Sequence, residues 1–149
     1  MRAKDVMIRN VIFVNKEDKL DQVISVLMKN HVSGVPVVDK DNHLVGIVTQ
    51  KDLVTKENGI NISSYITLME SILLVDEKTT NQAVSKKLEG LTAADVMSTP
   101  VYAVHLETTI EEIVTLMMNR HINRIPVVDR ENQLVGIIGR NDLLPILIK

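Results

Sequence analysis

Two short runs of the chain, 90 positions apart, place a carboxylate three residues after a small residue that can start a helix. The runs are GIVTQKD at residues 46–52 and GIIGRND at residues 136–142. Free backbone N–H groups and the dipole at a helix start favour a bound anion, and a carboxylate accepts ligand hydroxyls well. Thr49, Asp52 and Asp142 are therefore candidate ligand-binding residues. The alternative is that Thr49 and Asp52 only cap a helix, which needs no ligand.

The two runs differ in a way that predicts inequivalent sites. The second run keeps the aspartate but carries Gly139 at the position of Thr49, so the threonine hydroxyl has no counterpart there. Glycine still caps a helix. The second copy also gains positive charge, at Arg140 within the run and at Arg124, which occupies the position of Gly34. For both arginines the alternative is an exposed surface position.

The runs belong to a longer internal repeat. Residues 5–54 align with residues 95–144 without a gap, and 19 of the 50 positions are identical. A unit of about 50 residues buries too little surface to be comfortably stable alone, so the two copies are expected to pack together. Two like units usually pack about a pseudo-twofold axis, and that arrangement creates paired clefts.

The first half of each copy predicts a capped turn, a strand and a helix. The turn of the second copy follows Thr92, with an acid three residues on. The β-rich runs cover residues 11–14 and 101–104. Asp18 with Asp21, and Thr108 with Glu111, are the predicted starts of amphipathic helices. Their apolar stripes are Leu20, Val23, Ile24, Leu27 and Met28 in the first copy, and Ile110, Ile113, Val114, Met117 and Met118 in the second.

The second half of each copy predicts a hairpin and a final helix. Apolar runs at residues 35–38 and 44–48, with copies at 125–128 and 134–138, flank a polar turn. The final helix is predicted from Thr49 to about residue 57, where Asn58 and Gly59 stop it. Its copy starts at Gly139, and Pro145 is expected to end or kink it. Each copy is thus predicted to be a β-α-β-β-α unit, and the fold class is α+β.

Residues 60–91 belong to neither copy. Apolar residues at helical spacing predict a helical insertion that covers part of the paired units or forms an oligomer contact. The predicted organisation is a first repeat at residues 1–59, the insertion at 60–91 and a second repeat at 92–149. The stripe consists of Ile62, Tyr65, Ile66, Met69, Ile72 and Leu73.

Composition narrows the classes of function. The 149 residues are 45% hydrophobic and include no cysteine, so a packed core is expected and disulfides, thiol nucleophiles and Cys-ligated metals are excluded. A net charge of −2 argues against a broad nucleic-acid surface. No apolar run approaches the ~18 residues of a membrane span. A cytoplasmic protein without nucleic-acid or membrane partners is predicted.

The remaining polar residues do not predict catalysis. His31 and His121 occupy equivalent positions after the amphipathic helix, where a helix-end role near the dipole is expected. No pair of histidines has helical ligand spacing, so no metal site is predicted. Asp39 and Asp129 follow apolar runs and are predicted turn residues. We find no nucleophile with a base, no Walker loop and no HExxH, so an enzyme is not predicted.

These residues resemble a known family. The β-α-β-β-α unit, the PVVD steps at residues 36–39 and 126–129, and LVGIVTQKD at residues 44–52 resemble the cystathionine β-synthase (CBS) domain. Two in tandem are similar to a Bateman module, and the resemblance covers both repeats but not the central segment. It implies a stand-alone regulatory protein, forming a homodimer, that controls an unidentified protein. It further implies two clefts for AMP, ADP or ATP, with S-adenosylmethionine, NAD(H) or a cyclic dinucleotide in other members.

The resemblance also implies roles for the candidate residues. Asp52 and Asp142 would accept hydrogen bonds from ribose hydroxyls, the Thr49 hydroxyl would bond ribose or phosphate, and Arg124 or Arg140 would reach the phosphates across the pair. No cofactor is implied beyond this regulatory nucleotide. A constitutive dimerisation or docking scaffold without a ligand is the alternative. The adenine would lie against Ile12, Val35 and Pro36, or against Tyr102, Ile125 and Pro126.

Overall fold

The computed structural model describes residues 1–54 and 90–148. Of the predicted insertion, only Gly90 and Leu91 belong to this described part. The predicted end of the first repeat's last helix at Asn58 and Gly59 also lies outside it. No helix within the two described stretches is long and apolar enough to cross a membrane.

Each repeat forms the predicted β-α-β-β-α order, preceded by one short helix, which confirms the α+β class. The amphipathic stripes lie in the long helices, as their spacing predicts. The first repeat contains α1 (Ala3–Val6), β1 (Val14–Asn15), α2 (Leu20–Lys29), β2 (Gly34–Val38), β3 (Leu44–Thr49) and α3 (Gln50–Val54). The second contains α4 (Ala93–Val96), β4 (Val104–His105), α5 (Ile110–Arg120), β5 (Arg124–Val128), β6 (Leu134–Gly139) and α6 (Arg140–Leu147).

Each repeat builds its own three-stranded sheet, with strand orders β1-β2-β3 and β4-β5-β6. The first two strands of each sheet are parallel, and the second and third form an antiparallel hairpin. Gly34 lies opposite Thr49 at the end of the first hairpin, and Arg124 lies opposite Gly139 at the end of the second. Both hairpins therefore deliver a candidate ligand-binding residue to the strand end that precedes the last helix.

The predicted helix starts at Asp18 and Thr108 are wrong by one residue. Helix α5 begins after Thr109, whose Oγ1 accepts the Glu112 backbone N–H at 3.2 Å. The Thr108 hydroxyl instead accepts the His105 backbone N–H at 3.0 Å and closes the preceding turn. Asp18 makes the equivalent turn contact in the first repeat. In the second repeat, Thr108 closes the turn and Thr109 caps the helix. The spacing of polar residues in the sequence does not show which of two neighbours takes which role.

Three further boundaries differ from the predictions. Strands β1 and β4 begin at Val14 and Val104, so only the last residue of each predicted β-rich run is in a strand. Of the two expectations for Pro145, that it ends or kinks the last helix, the first is wrong, because α6 continues to Leu147. A proline removes one backbone donor but does not stop a helix whose apolar face is packed, as Leu143 is here at 2% exposure.

The core consists of three apolar clusters. One lies within each repeat, between its sheet and its helices. The third lies where the two hairpins meet and is formed by Val38, Leu44, Val128 and Leu134. This third cluster joins the repeats, as expected for units too small to be stable alone.

The short helix before each repeat packs into the core of the other repeat. Ala3 and Met7 lie in the second repeat's cluster, and Ala93 lies in the first repeat's cluster. The Ala3 N–H donates to Thr108 O, and the Ala93 N–H donates to Asp18 O, each at 2.8 Å. We call residues 3–8 and 93–98 the exchanged segments. Each repeat's core is completed by an exchanged segment of the other.

Each exchanged segment ends by pairing with the last strand of the other repeat's sheet. Ser98 forms an antiparallel bridge with Ile47, with N···O distances of 2.8 and 3.3 Å. Ile8 forms the equivalent bridge with Ile137, with distances of 2.8 and 3.0 Å. The backbones at Ser98 and Ile8 are therefore equivalent, and only their side chains differ.

The tips of the two hairpins hold each other in a reciprocal hydrogen-bond arrangement that we call the hairpin clasp. The Leu44 N–H donates to Asn132 O and the Leu134 N–H donates to Asn42 O, each at 3.1 Å. The Asn42 amide donates to Leu134 O at 3.1 Å, and the Asn132 amide donates to Leu44 O at 3.0 Å. Both asparagines have positive φ, 66° and 62°. The clasp follows the pseudo-twofold symmetry of the sequence repeat.

The two equivalent histidines end the long helices in the left-handed conformation, with φ of 51° at His31 and 54° at His121. The His121 N–H donates to Met117 O at the end of α5. This conformation strains a side chain with a Cβ atom and suits glycine. The predicted helix-end position is confirmed.

Replacing His121 by glycine is therefore expected to raise the free energy of unfolding by about 0.5–1 kcal/mol, because glycine adopts this conformation without strain. Urea denaturation checks it. The matched control is Asn119→Gly, in the exposed last turn of α5, where glycine should lower stability by about 0.5–1 kcal/mol. Equal losses in both variants would contradict the strain at His121.

Candidate functional site

The first strand-to-helix junction is built by Thr49, the last residue of β3, and Asp52 in the first turn of α3. The Thr49 N–H and hydroxyl donate to Asp52 Oδ2 at 2.8 and 3.0 Å. The Asp52 N–H is 3.3 Å from Thr49 Oγ1. This is a reciprocal cap of the helix start. The capping role expected from the spacing is thus present.

The second oxygen of the Asp52 carboxylate accepts a hydrogen bond from the Ser98 hydroxyl. Ser98 lies at the end of an exchanged segment, so this contact joins the first repeat to the segment that leads into the second. Sequence reasoning missed Ser98 altogether. Comparing the two copies could have drawn attention to Ser98, because the equivalent position in the first copy is Ile8, which carries no polar group.

The second strand-to-helix junction has a different environment. The Gly139 N–H donates to Asp142 Oδ2 at 2.7 Å, so the aspartate caps α6. Ile8 occupies the place that Ser98 has beside the first junction, and it offers no donor. Within the described residues, nothing donates to Asp142 Oδ1. The half-buried Asp142 therefore presents a carboxylate oxygen that remains available to a ligand hydroxyl.

The Arg124 side chain of the second repeat reaches the first repeat rather than lying on the outer surface. It is the first residue of β5, it is half-buried, and its Nη1 donates to the Gly34 carbonyl oxygen at 2.8 Å. Gly34 is the ladder partner of Thr49, and a Cβ atom at Gly34 would lie 3.1 Å from Thr49 Cγ2. The guanidinium of the second repeat is therefore delivered to the strand end that carries Thr49.

Arg140 is placed differently. Its backbone N–H donates to Asn123 O at 2.9 Å, and its side chain is exposed in the first turn of α6. The structure thus brings Thr49, Asp52 and Arg124 towards one junction and leaves Arg140 on the surface beside the other.

The candidate apolar contacts divide into buried and accessible side chains. Val35 and Ile125 are 1% and 0% exposed and lie in the two repeat cores, so only their backbone atoms are available to a ligand. Ile12 is half-buried against the first core. Tyr102, its counterpart, is 40% exposed and has the Arg120 guanidinium 4.9 Å above its ring. The prolines Pro36 and Pro126 are buried.

The glycine of each run has a packing role. A Cβ atom at Gly46 would lie 2.8 Å from Met97 Cγ and 3.1 Å from Met97 Cβ. At Gly136 the corresponding distances to Met7 are 2.9 and 3.1 Å. Both distances are too short for ordinary packing, so these positions need glycine where an exchanged segment crosses the sheet.

Asp39 closes the first hairpin turn, as predicted. Its Oδ1 accepts the backbone N–H groups of Asp41 and His43, both at 2.9 Å, and Asp129 repeats the turn in the second copy. The hydrogen bond from the His43 backbone lowers the pKa of Asp39. Oxygen and nitrogen atoms of Asp39, Asp41 and His43 lie within 4.8 Å of one another. The turn accounts for the Asp39 carboxylate, and the absence of a metal site stays a prediction.

Two interlocked α+β repeats, each ending in a capped strand-to-helix junction that faces the other repeat, define a tandem-repeat module with two candidate ligand positions. The CBS domain model matches residues 3–59 and 93–149 of this sequence. The chain belongs to the CBS-domain family. The two matches begin at the exchanged segments, so the family unit includes them.

Known proteins resemble the whole chain. The uncharacterised protein MJ1426 of Methanocaldococcus jannaschii is 34% identical, over 99% of this chain and 92% of its own length. The CBS domain of a CBS domain containing membrane protein from Sphaerobacter thermophilus has a TM-score of 0.75 at 30% identity, over 97% of this chain and 86% of that one. CBSX2 of Arabidopsis thaliana, in complex with AMP, has a TM-score of 0.72 at 23% identity, over 99% of this chain and 96% of that one.

Proposed function

We propose that the protein is a non-enzymatic regulatory sensor that binds an adenosine nucleotide, AMP, ADP or ATP, in the cleft between the two CBS repeats. The observation that carries the proposal is the Arg124 guanidinium, which crosses to the strand end of Thr49 and Asp52. A cation, a hydroxyl and a carboxylate at one junction match the phosphate and ribose of a nucleotide. The AMP complex of CBSX2, a protein of similar fold, supports this ligand class.

Each candidate residue has a distinct part in this proposal. The phosphate pairs with the Arg124 guanidinium, whose present partner is a neutral carbonyl, because an ion pair of this kind is stronger than the bond it replaces. The ribose hydroxyls donate to the Asp52 carboxylate. The base lies against Ile12 and the backbone of Val35. At the second junction, Asp142 accepts ribose and Arg140 provides the positive charge.

Signalling follows from the interlocked fold. A ligand shifts an equilibrium only if it binds one arrangement of the repeats better than the other. A nucleotide held by Arg124 of one repeat and Asp52 of the other favours the arrangement in which both can touch it. We propose that a homodimer in the cytoplasm presents this change to a regulated protein.

The test is calorimetric titration with AMP and with adenosine on the wild type and on Arg124→Gln. AMP affinity is expected to fall about 10- to 100-fold in the variant, the size of a lost charge-assisted contact, while adenosine affinity stays within about twofold. Arg130→Gln, in the exposed hairpin turn, is the matched control. An equal loss of affinity for AMP and for adenosine would show that Arg124 does not recognise the phosphate.

The second candidate function is a constitutive dimerisation or docking scaffold. The capping bonds of Asp52 and Asp142 favour it, since both carboxylates already serve a helix start. Titration of the wild type with AMP, ATP, S-adenosylmethionine, NADH and cyclic dinucleotides separates the two. If none of these ligands binds at millimolar concentration, the sensor function is wrong and the scaffold function remains.

A further inference from the structure

We propose that the Ser98 hydroxyl is an internal substitute for a ribose hydroxyl, and that a nucleotide must displace it from Asp52 to bind at the first junction. This inference rests on the proposed function. The carboxylate has two oxygens, and the structure assigns them separate partners. Oδ2 accepts the Thr49 N–H and hydroxyl, and Oδ1 accepts the Ser98 hydroxyl. The oxygen used by the cap is thus distinct from the oxygen held by Ser98.

Ser98 is held in place by backbone contacts rather than by this hydroxyl. The Ser98 N–H donates to Ile47 O at 2.8 Å, and the Ile47 N–H donates to Ser98 O at 3.3 Å. Met97, the preceding residue, packs over Gly46. The exchanged segment therefore stays on the sheet when the side chain rotates, because its anchors are main-chain bonds and the buried Ala93. A serine hydroxyl on such a support can leave the carboxylate without unfolding the segment.

The second junction supplies a comparison within the same molecule. Ile8 has the same backbone pairing as Ser98, at N···O distances of 2.8 and 3.0 Å, but carries no hydroxyl. Asp142 Oδ1 correspondingly has no donor within residues 1–54 and 90–148. The Oδ1 oxygen of Asp52 is therefore occupied by a side chain of the protein, and among the described residues that of Asp142 is not. The contact with Ser98 is not a general requirement of the capped junction.

Displacing Ser98 links the ligand to the exchanged segment. Ribose hydroxyls that take over Asp52 Oδ1 remove the side-chain hydrogen bond between Asp52 and Ser98 of the exchanged segment. The segment then loses one tie to the first repeat, and it leads directly into the second. Ser98 thus weakens nucleotide binding at Asp52 and transmits the binding event to the neighbouring repeat.

The experiment compares AMP with 2′,3′-dideoxy-AMP, which lacks the competing hydroxyls, on the wild type and on Ser98→Ala. AMP is expected to bind Ser98→Ala about five- to tenfold more tightly, since one competing hydrogen bond is gone. The dideoxy analogue, which has no hydroxyl to place at Asp52, should gain less than about twofold. Ser98→Thr keeps the hydroxyl and should retain wild-type affinities. Ile8→Ala is the matched control in the other exchanged segment and should not tighten AMP binding.

The outcomes separate this inference from the function on which it rests. If AMP binds the wild type but Ser98→Ala leaves its affinity unchanged or weaker, Ser98 does not compete with ribose and the inference fails alone. An equal gain for AMP and the dideoxy analogue also overturns it, because that result reports a general loosening of the cleft. If neither the wild type nor Ser98→Ala binds any nucleotide, the proposed function fails and the inference fails with it.

Discussion

Replacing Ala93 by glutamate is expected to lower the free energy of unfolding by about 3 kcal/mol or more, or to prevent folding. Ala93 is 0% exposed and packs in the first repeat's core with Val14, Leu20 and Leu53. A carboxylate there has no space and no partner among the described residues of that cluster, and burying an unpaired charge is strongly destabilising. Urea denaturation followed by circular dichroism measures the loss.

The neighbouring residue provides a matched control. Ala94 lies in the same short helix but is exposed, so Ala94→Glu is expected to change stability by no more than about 0.5 kcal/mol. The milder Ala93→Gly keeps the chain folded and allows hydrogen exchange to locate the damage. Faster exchange should appear first in β2 and β3 of the first repeat. If it appears first in β5 and β6, Ala93 does not pack in the core of the first repeat.

The exchange of segments bears on the proposed function because the first junction is not made by one repeat alone. The first junction combines Thr49 and Asp52 with Ser98 and Arg124, which come from beyond the central segment. A ligand at this junction therefore contacts both halves of the sequence. Under the proposed function, an adenosine ligand at this junction would act directly on how the repeats fit together.

Local sequence patterns predicted most of the architecture. The stripes that begin at Leu20 and Ile110, the PVVD strands and the cap pairs Thr49–Asp52 and Thr92–Asp95 all lie where periodicity and capping rules place them. These features depend on residues three or four positions apart, so a single sequence records them. The β-α-β-β-α order follows from them.

The contacts that make the site could not be predicted in the same way. Ser98 reaches Asp52 across 46 positions, and Arg124 reaches Gly34 across 90. No periodicity encodes such pairs, because both depend on how the two halves of the chain pack against each other. The burial of Val35 and Ile125 had a readable signal in the continuous apolar runs at residues 35–38 and 125–128, which are typical of strands buried on both faces. Those two side chains face the helices.

The two turns that carry the hairpin clasp offer exposed positions where substitutions should have little effect on stability. Lys40 and Arg130 occupy equivalent exposed positions in the two turns. Replacing both by alanine is expected to change the free energy of unfolding by no more than about 0.5 kcal/mol, because surface substitutions of this kind are nearly neutral. Any larger loss on replacing the clasp residues Asn42 and Asn132 then belongs to these asparagines and not to the turns in general.

Replacing Asn42 and Asn132 together by alanine is expected to lower the free energy of unfolding by about 2–5 kcal/mol. Each asparagine has positive φ, which alanine adopts poorly, and each amide donates to a carbonyl of the opposite hairpin, Leu134 O or Leu44 O. The double glycine variant keeps the backbone conformation and removes only the amides, so about half the loss should remain. Chemical denaturation of both variants measures this. An alanine variant as stable as the wild type would show that the third core cluster alone holds the repeats together.

The clasp and the third core cluster join the two repeats at one end of the molecule. Loss of the clasp should therefore also weaken the binding of AMP between the repeats.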